Sequence, residues 1–60
     1  MGNAELVQKI ANGDTVKKIA KDSGISEYLL HKKIYTLRDM VDAKTAAELV
    51  AMFFRKGLIN

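Results

Sequence analysis

Leu30, Ile34, Leu37 and Val41 recur at i, i+4, i+7 and i+11, and at about 100° per residue that spacing gathers all four into one narrow helical stripe. The stripe predicts a core-facing helix over about residues 27–41. A chain of sixty residues holds material for a single core, so the remaining elements must be organised around that contact. Folding at this size buries only about 60% of the surface that the unfolded chain exposes. The chain has no cysteine to form a disulfide or a thiolate metal site, and its one histidine, His31, cannot build a metal site alone. Stability must therefore come from helix packing, with oligomerisation as a further source. The apolar fraction of 48% and the absence of proline suit a packed domain better than a disordered tail.

With no proline and no Ser- or Gly-rich stretch, the glycines are the main punctuation. Leu6, Val7, Ile10 and Ala11 fall at helical spacing ahead of Asn12-Gly13, which predicts a first helix over about 4–12 closed by a left-handed glycine. A second helix, about 15–22, is capped by Asp14 or Thr15. It buries Val16, Ile19 and Ala20, turns Lys17, Lys18 and Lys21 to water, and stops at Gly24. Ile25 then plugs the corner and Ser26 caps the third helix, with Glu27 beside its positive dipole end. Thr45-Ala46-Ala47-Glu48 has the spacing of a capping box and opens a fourth helix, about 45–56. Gly57 ends it, and Leu58 is placed to close its last turn. The expected fold is all-α, a single four-helix domain over 1–60 with a tight helix-turn-helix at its centre.

Opposite its apolar stripe the third helix carries Tyr28, Lys32, Tyr35 and Asp39, flanked by His31 and Arg38. A short helix, a glycine turn and a longer helix with one apolar and one basic-aromatic face match the mechanics of major-groove reading, in which the first helix braces the second. The formal charge of +3 and a pI near 9.4 suit a polyanionic partner, although charge alone decides little. Catalysis finds no support, since there is no Ser/His/acid or Cys/His set and no phosphate-cradling glycine loop. No cofactor, metal or small-molecule ligand is expected. Neither a membrane span nor a secretion signal is visible, which predicts a cytoplasmic protein.

Five segments carry a family likeness: Glu5-Leu6-Val7-Gln8-Lys9-Ile10-Ala11-Asn12-Gly13, Lys18-Ile19-Ala20, Gly24-Ile25-Ser26-Glu27, Glu48-Leu49-Val50 and Gly57-Leu58-Ile59. In these residues and their spacing the chain resembles the C-terminal DNA-binding domain of LuxR/GerE-type bacterial transcription regulators. The resemblance implies duplex DNA as partner, with the third helix in the major groove and His31, Lys32 and Tyr35 facing the bases. It also places Thr15, Lys33 and Lys44 near the DNA backbone, to which the exposed Tyr28 and Arg38 are added as candidates. A dimer contact through the fourth helix is implied as well. In this chain the face with Ala47, Ala51 and Phe54 is the candidate for that contact.

Each assignment has a plainer alternative. Tyr28 and Tyr35 can be half-buried rings with wet hydroxyls. The three lysines of the second helix can be a solvated face. Phe54 can cover the edge of the core instead of marking an interface. Ser23 and Leu29-Leu30 stand where the family usually has leucine and a Thr-Val pair. Those departures, with the small net charge of the third helix, favour a second functional reading: a protein-interaction or dimerisation module of helix-turn-helix fold with little DNA binding of its own.

Overall fold

The structure is a computed structural model that describes residues 1–60. Four helices follow in order: α1 (Asn3–Ala11), α2 (Val16–Ser23), α3 (Glu27–Met40) and α4 (Ala46–Arg55). Three start where a hydroxyl side chain accepts from an otherwise orphaned N–H. The Thr15 Oγ1 accepts from the Lys18 N–H, the Ser26 Oγ from the Leu29 N–H and the Thr45 Oγ1 from the Glu48 N–H, each at 3.1 Å. Thr15, not Asp14, is thus the cap of α2; Asp14 lies 3.8 Å from the Lys18 ammonium instead. At α4 the capping box is shifted by one residue, because the Glu48 carboxylate accepts from the N–H of Lys44, at 2.8 Å, and not from that of Thr45. α1 has no side-chain cap.

All four helices end in the same way, with a left-handed residue that lets two successive N–H groups fold back onto the last turn. At α2 the Ile25 N–H donates to the Ala20 carbonyl and the Gly24 N–H to that of Lys21, with Gly24 at φ 70°. Gly13 and Gly57 repeat this after α1 and α4. The fourth instance escapes a reading that looks for glycine. Asp42, at φ 56°, ends α3, with Asp42 and Ala43 donating to the carbonyls of Asp39 and Arg38. Aspartate is among the few side chains that tolerate this region. At Gly24 an added Cβ would meet nothing within 4 Å, so Gly24→Ala should cost only the backbone term, about 1–2 kcal/mol. Urea denaturation checks this. A loss near zero would mean that the α2–α3 turn does not hold a left-handed residue there.

The core consists of Leu6 and Val7 from α1, Ile19 and Ala20 from α2, Leu30, Ile34 and Leu37 from α3, Leu49 and Phe53 from α4, plus Ala43 and Ile59 from the segments between and after them. α4 packs on α1 and on α3, while α2 packs on α3. Three expectations differ from the structure. Val16, the first residue of α2, is only partly buried and packs on the edge of the core beside Ile19 and Ala20. Val41 is only partly buried, because α3 stops at Met40 and the left-handed turn at Asp42 swings the chain away; Ala43 takes the deep position instead. Leu58 closes the last turn of α4 through its N–H, which donates to the Phe53 carbonyl, and not by burying its side chain: the residue is 52% exposed and its neighbour Ile59 enters the core. Gln8 explains the exchange: its Nε2 donates to the Asn60 carbonyl at 3.0 Å and its Oε1 accepts from the Asn60 N–H at 2.7 Å. That two-point grip ties the end of the chain to α1 and points Ile59 inward.

Candidate nucleic-acid interface

α3 is the longest helix, and its buried stripe faces the rest of the domain, which leaves the opposite side of the helix open. Tyr28, His31, Lys32 and Tyr35 stand at i, i+3, i+4 and i+7 on that side, and all four are exposed. Tyr28 is 72% and Tyr35 66% exposed, so neither ring is the half-buried one of the plainer alternative. The left-handed turn at Gly24 and the Ser26 cap fix where the helix starts, and hence which side chains share the open flank. Together they present two hydroxyls, an imidazole and an ammonium, groups that can donate to base edges or phosphates. Glu27 and Asp39 bracket the same helix with negative charge, which confines the basic character to its middle.

Arg38 is placed differently from the other candidates. It is partly buried, its guanidinium donates to the Lys44 carbonyl, and its charge sits 5.9 Å from the centre of the Tyr35 ring. The first contact ties α3 to the segment leading into α4, and the second holds the Tyr35 ring from one side. Arg38 therefore has structural partners of its own, and its Nε is buried without an acceptor. A depression of about 240 Å³ is lined by Tyr35, Arg38, Asp39, Ala43 and Lys44, which brings three candidate residues to one place. Sequence reasoning put Arg38 on the solvent face because it could not see the carbonyl that the turn at Asp42 delivers.

The remaining candidates are spread over the surface. Lys33 is exposed on the other flank of α3, where with Lys32 it borders a larger groove that also contains Leu29 and Met40. Leu29 is 49% and Met40 70% exposed, an apolar pair that the sequence reading did not assign to any surface. The signal was present in the spacing, since residues 29, 33, 36 and 40 form a second stripe beside the core one. Thr15 lies at the start of α2; its oxygen accepts from the helix, and its hydroxyl hydrogen remains a donor. Lys17, Lys18 and Lys21 are all exposed, with Lys18 facing Asp14. Ala47, Ala51 and Phe54 share one exposed face of α4, Phe54 at 63%, so Phe54 does not cover the core edge.

Comparison with protein-family models, with curated proteins and with solved structures finds no match to this chain. What is established is an all-α four-helix domain with a helix-turn-helix-like pair, α2 and α3. That order agrees with the LuxR/GerE resemblance and is not specific to it. No helix is long and apolar enough to cross a membrane.

Proposed function

We propose that the chain binds duplex DNA in a sequence-specific manner, as a LuxR/GerE-like domain of bacterial transcription regulation. The observation that carries this reading is the joint exposure of Tyr28, His31, Lys32 and Tyr35 along the open flank of the helix that follows the glycine turn. A helix of 14 residues is about 21 Å long, and the major groove, about 12 Å wide, admits a helix of this kind. In this arrangement Lys32 donates to guanine acceptors and His31 hydrogen-bonds a neighbouring base edge. Tyr35 offers its hydroxyl to a base or phosphate and its ring to a thymine methyl. Thr15, Tyr28, Lys33 and Lys44 meet phosphates. Arg38 adds a charge beside the backbone while its guanidinium stays tied to the Lys44 carbonyl. A salt titration against random duplex tests the reading: phosphate contacts require affinity to fall steeply with salt.

Paired domains on adjacent half-sites fit the exposed α4 face, since each raises the local concentration of the other. Phe54→Glu should abolish DNA-independent and DNA-dependent pairing while leaving helicity unchanged, because Phe54 is largely outside the core. Sedimentation on and off a two-fold site reads the result; unchanged pairing would remove α4 from the interface.

The second reading is a protein-interaction module with little DNA binding. It is favoured by the apolar side chains left in water, Leu29, Met40, Phe54 and Leu58, and by the carboxylates of Glu27 and Asp39 on α3. Weak, salt-insensitive association with duplex would select it.

A further inference from the structure

Beside the proposed DNA-reading flank lies the larger of the two surface depressions, an open groove of about 390 Å³ along the other side of α3. Its apolar lining comes from Ile25, Leu29, Leu37 and Met40, and its charged lining from Lys32 and Lys33. Asn3 and Thr36 complete the wall, and no carboxylate lines it. Leu29 and Met40 are the well-exposed members, and exposed leucine and methionine on a small domain leave apolar surface to be covered. We propose that this groove docks an acidic amphipathic helix of a partner protein, with the partner's apolar side chains on Leu29 and Met40 and its carboxylates on Lys32 and Lys33.

The choice of occupant follows from charge and size. Both charged groups of the groove are cationic, so carboxylates on the partner complete the electrostatics, as in other helix-in-groove contacts. From Leu29 to Met40 the groove follows twelve residues of α3, eleven helical steps or about 16 Å, which is the length of three helical turns. The unbranched thioether of Met40 adapts to partner side chains of different shape. A second copy of this chain is a poor match, because its own exposed apolar face, around Phe54, is followed by Arg55 and Lys56, which bring like charge against the two lysines. Duplex DNA can use the two ammonium groups but leaves the apolar lining, Leu29 and Met40 above all, uncovered. Lys32 and Lys33 belong to both surfaces, so a docked acidic helix competes with duplex for them, and the partner acts as an inhibitor of DNA binding.

The test uses a fluorescent amphipathic peptide of about 16 residues, with leucines at i, i+3, i+4 and i+7 and glutamates on both flanks. One control peptide keeps the leucines and carries lysine flanks; the other keeps the glutamates and has serine for leucine. Anisotropy should show saturable binding of the first peptide to the full chain, at least about tenfold tighter than of either control. Met40→Ala should weaken it several-fold and leave duplex binding unchanged, which separates failure here from failure of the DNA reading. The pair K32E and K33E should turn the preference toward the lysine-flanked peptide, with circular dichroism confirming that the helices persist. Amide chemical shifts should move at Leu29, Lys33 and Met40. Equal binding of all three peptides, no saturable binding, or shifts centred on α4 would overturn the proposal. Concentration-dependent shifts of the same amides in the protein alone would assign the groove to a second copy. Shifts caused there by duplex and not by the peptide would assign it to nucleic acid, and either result contradicts the docking of an acidic helix.

Discussion

Leu37→Ala is expected to lower the unfolding free energy by roughly 2–5 kcal/mol, the range for removing a buried leucine side chain beyond its β-carbon. Leu37 is 5% exposed and belongs to the cluster that joins all four helices, so the vacated space cannot be filled by one local adjustment. The total stability of a domain this size is of the order of 3–9 kcal/mol, so a single truncation removes a large part of it. Near the midpoint each kcal/mol corresponds to about 4–8 °C, which makes the effect visible as a fall in Tm of about eight degrees or more, or as loss of the transition at room temperature. Met40→Ala, three residues on but 70% exposed, should stay within about 0.5 kcal/mol of the parent. Equal small effects at both positions would mean that α3 is rotated about its axis from the arrangement described.

The second large effect concerns recognition. Lys32→Ala and Tyr35→Ala should each cost about 1–3 kcal/mol at a selected duplex, through the base contact each loses, and much less at a scrambled one. Lys44→Ala should weaken both duplexes alike and reduce the salt slope by about 1, because a phosphate contact carries no sequence information. Its ammonium is free to act in this way, since Lys44 is joined to Arg38 and Glu48 only through its backbone carbonyl and N–H. Tyr35 carries a complication that the structure makes explicit. Its ring lies against Arg38, so Tyr35→Phe, which keeps the ring and removes the hydroxyl, separates loss of a contact from loss of support.

Local rules made most of the architecture legible. Thr15, Ser26 and Thr45 are caps because a hydroxyl before a helical run has an orphan N–H to satisfy. Gly13, Gly24 and Gly57 mark ends because the left-handed turn is easiest without a Cβ. What escaped the sequence was non-local or chemically atypical. Asp42 does the work of a glycine, and only the geometry identifies it. Ile59 replaces Leu58 inside because Gln8, 52 positions earlier, fixes the last residue. For the candidate interface, helical periodicity sorted Tyr28, His31, Lys32 and Tyr35 onto one flank. It could not tell that Arg38 is tied to a carbonyl across a turn, nor that Leu29 and Met40 have no neighbour to cover them. Periodicity shows which side chains share a face, while the presence of a covering element depends on the tertiary path.

Base reading by α3 is the part of the proposed function on which the rest depends. Selection of bound duplexes from a random pool, run in parallel with the parent chain and with Lys32→Ala, addresses it directly. The parent should enrich one motif, and the variant the same motif with preference relaxed at a guanine position. Failure of the parent to enrich any sequence, or an unaltered motif from the variant, would contradict it.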